Sequence, residues 1–384
     1  MSTWTQVRAA DFIDFNPRLS IKKGAIATKI AMDKLQPFTK KIPMTEKAEF
    51  SGGSKFCNGD TIMARITPCL ENGKTAFVDV LDDGEVGFGS TEFIVLRAKK
   101  GISDPQFVYY LATSPVFRNI AIKSMVGSSG RQRVQQSVLD ELELTAPPLQ
   151  EQERIGSFLA MLDKKIALNN KINDNLQQQA AALFANFYDH AETEVGFTEI
   201  IQILGGGTPK TGESSYWNGN VPFFTPKDVG LPYTLSTEKT ITEEGLAHCN
   251  SRLYPVNTVF VTARGTVGKV GLPGVPMAMN QSCYALVGKE THQLLVYFYT
   301  LKAVDRLKHK ASGAVFDAIT TRDFESEIIM KLSDEDAQGF LDVAEPIYQA
   351  VLSNSIENLR LAALRDSLLP KLMSGEIDVF DIQL

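Results

Sequence analysis

Basic and amide side chains in glycine-flanked loops are the residues of this 384-residue sequence best suited to chemistry. The segment GSSGRQRV at 127–134 brings Arg131, Gln132 and Arg133 together in one short loop. Guanidinium and amide groups can pair with the edges of guanine and adenine, and small residues let backbone amides approach a phosphate. The loop is therefore a candidate for contact with nucleic-acid bases, the alternative being a solvated turn.

Other basic residues occur in similar surroundings in both halves of the chain. Arg65 and Lys74 flank a glycine-containing turn, and Arg264 and Lys269 are expected to mirror them in the second half. Doubled lysines are of the kind that follow a phosphate backbone, although they are equally typical of a solvated face. The predicted DNA-binding residues are Lys22, Lys23, Lys40, Lys41, Arg65, Lys74, Ser128, Ser129, Arg131, Gln132, Arg133, Lys210, Lys227, Arg264 and Lys269.

Known catalytic and metal-binding patterns do not occur in the sequence. Neither 205–212 nor 265–269 has the phosphate-loop spacing Gly-x4-Gly-Lys-[Ser/Thr], and the four histidines are scattered. The four cysteines include no Cys-x-x-Cys pair, which argues against zinc. We therefore expect no catalytic residue, no metal and no cofactor.

The distribution of charge leaves room for a polyanionic partner. The net charge is −6, from 39 Lys+Arg and 45 Asp+Glu, and this excludes a uniformly basic nucleic-acid binder. Residues 334–384 alone carry −7, whereas residues 1–148 carry +3. Discrete basic clusters therefore remain compatible with binding to DNA.

Segment 149–190 has the composition and period of a long helix. It contains no proline and no glycine after Gly156, and apolar or Asn residues recur in 4,3,4,3 steps from Ile155 to Phe187. Adding 185 to each number gives a second such series, with Asn at the same two layers and one charged member, Arg365. The predicted helix-pairing residues are Ile155, Leu159, Leu162, Ile166, Asn169, Asn173, Leu176, Leu183, Phe340, Ile347, Val351, Asn354, Asn358, Leu361 and Leu368.

The two apolar stripes are expected to pack on each other, because a lone helix cannot remove its stripe from water. Antiparallel packing pairs Asn169 with Asn358 and Asn173 with Asn354, and it leaves Arg365 facing Leu162. Paired polar layers lower stability but specify the register. The alternative is that the asparagines are solvated on separate helix faces.

Short β-type runs broken by glycine and proline fill the segments that precede the helices. We predict an α+β fold in which two pseudo-repeated α/β domains are separated by two long antiparallel helices that form a coiled coil. The predicted boundaries are 1–148 and 191–332 for the domains, here called the first and second segments, and 149–190 and 333–384 for the helical regions. No apolar run approaches the roughly 20 residues that span a bilayer, so we expect a soluble, cytoplasmic protein.

Several motifs carry a resemblance to a known family. APPLQEQERIGSFLAMLDKKI at 146–166 and LRDSLLPKLMSGEI at 364–377 resemble the helical motifs of the specificity subunit of type I restriction-modification systems. RITPCLENGKT, GSSGRQRV and GGGTPKTGESSYWNGNVPFFTPKDV, at 205–229, extend the resemblance over nearly the whole chain.

The resemblance implies a non-catalytic subunit that recognises double-stranded DNA. In that family each of two target recognition domains reads one half of a split site, so two unlike domains imply an asymmetric bipartite target. The implied partners are methyltransferase subunits, two in number, and restriction or translocase subunits, with no membrane. One departure concerns the second helical region, which has MKLSDEDAQGFLDVAEPI in place of the Pro-Pro-Leu-x-Glu-Gln motif.

Two other functions are compatible with the residues alone. The chain could be a stand-alone DNA-modifying enzyme with unrecognised motifs, which modification or cleavage of DNA by the purified chain would reveal. It could also be a structural coiled-coil adaptor that makes no contact with DNA. A bipartite methylated motif that appears only in cells with the gene would distinguish recognition from both.

Overall fold

Short strands alternate with brief helices in the first segment, as the glycine- and proline-broken runs predict. The structure, a computed structural model, describes residues 4–128, 130–230, 232–310 and 318–382. The elements of the first segment are β1 (Thr5–Arg8), α1 (Ala9–Phe12), β2 (Ile13–Phe15), β3 (Ile26–Ile30), β4 (Glu46–Glu49), β5 (Ser54–Phe56), β6 (Thr61–Ala64), β7 (Thr75–Phe77), β8 (Gly87–Gly89), β9 (Phe93–Ala98), α2 (Pro105–Thr113), α3 (Pro115–Lys123), α4 (Gln136–Asp140) and β10 (Glu143–Ala146), with a 3-10 turn at Met32–Lys34.

A 41-residue helix, α5 (Leu149–Asp189), follows the first segment. The second segment then repeats the pattern of short strands. Its elements are β11 (Thr193–Gly196), α6 (Phe197–Ile200), β12 (Ile201–Gly205), β13 (Trp217–Phe224), β14 (Tyr233–Thr234), β15 (Lys239–Ile241), α7 (Glu243–Ala247), β16 (Val259–Thr262), β17 (Val270–Pro273), β18 (Ala278–Met279), β19 (Cys283–Gly288), α8 (Gln293–Lys310), α9 (Thr321–Glu325) and β20 (Ile328–Lys331), with a 3-10 turn at Ser214–Tyr216.

The second 41-residue helix, α10 (Asp334–Ser374), follows, and a 3-10 turn at Val379–Asp381 ends the described chain. The Oγ atom of Ser333 accepts a hydrogen bond from the Asp336 backbone at 3.1 Å and so caps the first turn of α10. The acidic residues in this first turn interact favourably with the positive end of the helix dipole. Part of the negative charge of residues 334–384 therefore stabilises the helix.

The same sheet topology occurs in both segments. The order β2-β9-β6-β7 of the first corresponds to β12-β19-β16-β17 of the second, which β14 extends, and β4-β3-β8, which β5 extends, corresponds to β15-β13-β18. β3 is antiparallel to β4 and parallel to β8, and β13 is likewise antiparallel to β15 and parallel to β18. The prediction of an α+β fold with two repeated domains and two long helices is confirmed.

The chain forms two compact units, and both include part of each long helix. One contains residues 1–168 and 359–384, and the other contains residues 169–358. The core of the first unit joins the first segment to α5 and α10 through Phe158, Leu159 and Leu372. The core of the second unit joins α8 to the same two helices through Phe184, Phe340 and Val351, among others.

The predicted helix-pairing residues differ in burial. Those that are buried are Ile155, Leu159, Leu162, Asn169, Asn173, Phe340 and Val351. Those that are half-buried are Ile166, Leu176, Leu183, Ile347, Asn354, Asn358, Leu361 and Leu368.

The buried face near the end of α5 is wider than the predicted seam, whose members Leu183 and Phe187 still pack against the core. Leu183 and Phe187 are half-buried, whereas Ala180, Phe184 and Tyr188 are buried. Steps of four residues replace the 4,3 alternation because this part of α5 packs on α8 as well as on α10: the Phe184 ring lies 4.9 Å from that of Phe298. A third helix removes the constraint that keeps a two-helix seam at 3.5 residues per turn.

Arg365 is also placed differently from the prediction. Its Nη1 atom lies 2.5 Å from Oδ1 of Asp163, and only 14% of its side chain is exposed. Oδ2 of the same carboxylate accepts a hydrogen bond from the hydroxyl of Tyr110 on α2. The charge of Arg365 is thus matched by a carboxylate one residue from Leu162, rather than left against an apolar side chain.

Asparagine side chains connect α5 and α10 within the second unit. Asn169 Nδ2 donates to Asn358 Oδ1 at 2.9 Å and lies 2.7 Å from Glu357 Oε2. Asn354 Nδ2 donates to Asn173 Oδ1 at 2.8 Å. Because the residue numbers rise along one helix and fall along the other, the paired segments are antiparallel.

We expect the Asn169–Asn358 contact to couple the two residues energetically. Each single change to isoleucine should destabilise the second unit by about 1–3 kcal/mol, because a buried amide loses its partner. The double variant should cost at least about 0.5 kcal/mol less than the sum of the two single changes. Denaturant unfolding of the four proteins measures this difference.

Asn175 provides the control, since it is exposed on the same helix. Asn175→Ile should change stability by no more than about 0.5 kcal/mol and should add simply to Asn358→Ile. Simple additivity of Asn169→Ile with Asn358→Ile would contradict the coupling.

Candidate nucleic-acid interface

The loop with the sequence GSSGRQRV is closed at its base by paired backbone hydrogen bonds. Val126 N donates to Arg133 O at 3.1 Å, and Arg133 N donates to Val126 O at 2.9 Å. Gly127 (φ +137°) and Gly130 (φ +78°) supply the backbone conformations of the turn, and Ser129 lies outside the described residues. The predicted residues that are exposed or half-buried here are Ser128, Arg131, Gln132 and Arg133.

Glu92 holds the side chain of Arg133. The Nε atom of Arg133 lies 3.1 and 2.9 Å from the two carboxylate oxygens of Glu92, and Nη2 lies 2.7 Å from Oε1. The hydrogen bond from Arg133 lowers the pKa of Glu92, which therefore stays ionised near neutral pH. Sequence reasoning missed Glu92 because 41 residues separate the pair and no local motif marks it.

Arg65 lies beside this ion pair at the edge of an open cleft of about 650 Å³. Its Nη2 atom donates to Val134 O at 3.4 Å, and its buried Nε atom has no hydrogen-bond partner among the described residues. Arg18 and Lys55 line the same cleft, and the sequence analysis missed both. They are single basic residues far apart in the chain, so only the fold brings them together.

The predicted lysines of the first segment do not form one set. Lys22, Lys23 and Lys41 are exposed. Lys74 is half-buried, and its ammonium group donates to Met32 O at 3.0 Å. The first three lysines are therefore open to solvent, whereas the ammonium group of Lys74 is held by a partner within the protein.

Lys40 corrects the expectation for the doubled lysines. Its ammonium group is half-buried, donates to Gln106 and lies 4.7 Å from the ring centre of Tyr110. Burial lowers the pKa of Lys40 to about 8. Because the ammonium points into this aromatic surrounding and not to solvent, Lys40 is poorly placed to follow phosphates, whereas Lys41 remains exposed.

All four predicted basic residues of the second segment are exposed, but they line different surfaces. Lys227 and Arg264 share a cleft of about 460 Å³ with Lys239, which the sequence analysis missed. Lys269 lies instead in a separate cleft of about 400 Å³ between β17 and α8. The remaining residue, Lys210, is in neither cleft.

The expected correspondence between Arg65 and Arg264 is wrong by one residue. The strand register pairs Ala64 with Phe93 and Thr262 with Cys283, so the residue that follows each strand is Arg65 in the first segment and Ala263 in the second. Arg65 N donates to Glu92 O at 2.9 Å and Ala263 N donates to Ser282 O at 2.8 Å, closer than Arg264 N at 3.3 Å. Arg264 occupies the position of Ile66, since each forms the isolated bridge at this point. In extended chain a shift of one residue turns the side chain to the opposite face, so the two arginines are not equivalent.

Comparison with known proteins identifies the family. The model of the type I restriction modification DNA specificity domain matches residues 1–178 and 193–336, most of the chain. The chain belongs to this family. Its two matched regions correspond to the two copies of the repeated topology.

Individual relatives agree with this assignment. The type I restriction enzyme HindI specificity subunit of Haemophilus influenzae is 24% identical over 83% of this chain and 86% of its own length. The EcoAI specificity subunit of Escherichia coli is 39% identical over 38% of this chain and 23% of its own length. The crystal structure of a type I restriction-modification S subunit from M. genitalium has the same fold, with a TM-score of 0.58 at 16% identity over 97% of this chain and 96% of that one.

As a member of the type I specificity family, the chain recognises a DNA target and is not itself an enzyme. Its partners are DNA and other subunits of a restriction-modification system. Over the described ranges, no group of three or more His, Cys, Asp or Glu residues is arranged to hold a metal ion. No helix in the same ranges is long and apolar enough to cross a membrane.

Gln152, from the motif that carried the family resemblance, has an internal role in this specificity subunit. The residue is buried, and its Nε2 atom donates to Ile102 O at 3.1 Å and to Pro147 O at 2.9 Å. Its Oε1 atom accepts a hydrogen bond from Asp104 N, at the start of α2. The repeat places Ala337 at the corresponding position of α10. The methyl side chain of alanine cannot form the hydrogen bonds that Gln152 makes. The departure in the second helical region therefore removes a contact between helix and domain.

Proposed function

We propose that this specificity subunit reads an asymmetric bipartite DNA sequence, one half with residues 1–148 and the other with residues 191–332. The observation that carries the proposal is the repeated sheet topology with unlike basic residues at its clefts. Two domains of the same topology can each contact one half-site in the same manner. Because their basic side chains differ, the two half-sites that they select differ in sequence. The helical regions 149–190 and 333–384 are proposed to link the two domains, so that the DNA bases between the two half-sites are not read.

The residues proposed to contact DNA fall into two groups. Arginine and amide side chains are suited to base edges, and lysine and serine side chains are suited to phosphates. The proposed set keeps the predicted residues with solvent access and adds those that the clefts supply: Arg18, Lys22, Lys23, Lys41, Lys55, Arg65, Ser128, Arg131, Gln132, Arg133, Lys210, Lys227, Lys239, Arg264 and Lys269.

The subunit is proposed to act in the cytoplasm with two methyltransferase subunits and with restriction or translocase subunits. Its net charge of −6 favours weak binding to DNA by the isolated chain, because phosphate contacts supply most of the non-specific affinity. The methyltransferase subunits would supply the missing affinity. Tight, sequence-specific binding by the chain alone at physiological salt would contradict this division.

Methylome sequencing tests the function directly. Cells with the gene and its partner genes should contain one bipartite methylated motif with two different halves, and deletion of this gene should abolish it. The double variant Lys227→Ala/Lys239→Ala, in the cleft of the second segment, should reduce methylation without creating a new motif. An unchanged methylome after deletion, or methylation of DNA by the purified chain alone, would overturn the proposal.

A further inference from the structure

The ion pair between Arg133 and Glu92 has a geometry that leaves one edge of the guanidinium group available. Glu92 accepts hydrogen bonds from Nε and Nη2 of Arg133, so it occupies the side edge of the planar group. Nη1 has no hydrogen-bond partner among the described residues, and 46% of the Arg133 side chain is exposed. The Nη1–Nη2 edge can therefore still form two parallel hydrogen bonds with a second acceptor.

Glu92 itself is held firmly. Its backbone N donates a hydrogen bond to Ser90 Oγ at 3.1 Å, and its backbone O accepts one from Arg65 N at 2.9 Å. These two bonds fix the backbone from which the side chain projects. The Glu92 side chain is 24% exposed, about half the value for Arg133. A fixed carboxylate that binds one edge of an arginine restricts the rotamers of that arginine and directs its other edge outward.

An acidic side chain is costly on a surface that meets a polyanion, because it repels phosphates. Here Glu92 lies next to Thr91 and Arg65, both of which line the first cleft. A surface ion pair contributes little to the free energy of folding, so stability alone does not account for an acidic residue at this edge. A role in orienting Arg133 does account for it.

The second segment lacks this arrangement at the same place in its topology. The backbone contacts that match Arg65 with Ala263 also match Glu92 with Ser282. Arg133 corresponds to Ala318, since Ile66 bridges Arg133 as Arg264 bridges Ala318. The second segment thus has alanine in place of both arginines and serine in place of the glutamate. The shared fold therefore does not require the arrangement.

We propose that Arg133 reads one guanine of the half-site bound by the first segment, and that Glu92 is a positioning residue that orients its guanidinium group for this contact. Guanine presents O6 and N7 to the major groove, a pair of acceptors that matches the free Nη1–Nη2 edge. This inference rests on the proposed function and adds to it a specific base type and a residue that does not touch DNA. It also states that the second segment reads no guanine from the corresponding position.

The test uses the full methyltransferase complex in cells and compares methylated motifs. Arg133→Ala should relax one G·C position of one half-site, with the preference for that base falling about tenfold or more. Arg133→Lys should relax the same position while keeping most methylation, because it retains the charge and loses the paired geometry. Glu92→Gln should relax that position partly and leave the other half-site unchanged.

Glu46→Gln is the matched control. It neutralises the exposed carboxylate that pairs with Lys29, another ion pair of the first segment, and should leave the motif unchanged. Thermal unfolding of each variant separates loss of folding from loss of recognition. Should Arg133→Ala fail to fold, the two milder variants decide.

Binding of the assembled complex to modified duplexes provides an independent measurement. Replacing the identified guanine by 7-deazaguanine removes its N7 acceptor and should weaken binding of the wild-type complex about tenfold, but should leave Arg133→Ala unaffected. Relaxation of different positions by Glu92→Gln and Arg133→Ala, or an unchanged motif in folded variants, would overturn the inference alone. Absence of any bipartite motif with the wild-type chain would instead overturn the proposed function with it.

Discussion

Replacing Asp163 by alanine should lower the free energy of unfolding of the first unit by about 3–5 kcal/mol. The carboxylate lies between Arg365 on α10, at 2.5 Å, and the hydroxyl of Tyr110 on α2, at 2.5 Å. Only 12% of the Asp163 side chain and 14% of the Arg365 side chain are exposed. Removal of the carboxylate leaves a guanidinium group largely buried without its main counter-charge, and this is the costly part of breaking a buried pair.

The measurement uses the two tryptophans, one of which lies in each unit. In a Trp217→Phe background, the fluorescence of Trp4 reports unfolding of the first unit in denaturant. Asp366→Ala is the control, because Asp366 contacts the same arginine at 2.8 Å but is 63% exposed, and its loss should cost less than about 1 kcal/mol. The double change Asp163→Leu/Arg365→Met should recover much of the lost stability. Equal costs for Asp163→Ala and Asp366→Ala would show that the buried pair has no special weight.

Replacing Phe184 by alanine should destabilise the second unit by about 3–5 kcal/mol. Only 1% of this side chain is exposed, and its ring lies 4.9 Å from that of Phe298, 5.3 Å from that of Phe340 and 5.6 Å from that of Tyr299. These neighbours belong to α8 and α10, so the truncated side chain leaves a cavity where three helices meet. Several surrounding rings cannot all move to fill it.

Phe187 offers a matched control of the same residue type, three positions later on the same helix. It is half-buried and belongs to the seam predicted from the 4,3 spacing, whereas Phe184 does not. Phe187→Ala should therefore cost clearly less than Phe184→Ala when Trp217 fluorescence is followed in a Trp4→Phe background. The reverse order would favour the two-helix seam over the packing against α8.

The periodic and repeated features of the fold could be predicted from sequence because they depend on local composition and spacing. Helix α5 follows from a long run without proline, and α10 with its two Asn layers follows from matching positions at an offset of 185, although α10 contains Pro346 and Pro370. The seam near Phe184 could not be predicted, since its position depends on α8, which is distant in sequence. Burial of Lys40 likewise depends on rings such as Tyr110, 70 residues away.

The candidate interface was only partly predictable for a related reason. A glycine-flanked loop with Arg and Gln is visible in the sequence, but the carboxylate that orients Arg133 is not. The register of Arg264 depends on which backbone atoms pair with Ser282, and a one-residue offset in pairing leaves no trace in composition. Cleft residues such as Arg18 and Lys55 become neighbours only through strand order.

The division of the chain into units has a consequence for the order of events during synthesis on the ribosome. The second unit is complete once residue 358 has emerged, whereas the first unit also needs residues 359–384, which are made after it. Until then Phe158 and Leu159 lack Leu372 and Met373, which complete their core. At roughly 5–20 residues per second the first unit, although begun first, stays open while nearly 200 further residues are added. The first unit therefore closes after the second, although its first segment is translated before it, and its apolar helix face stays exposed until residues 359–384 have been added.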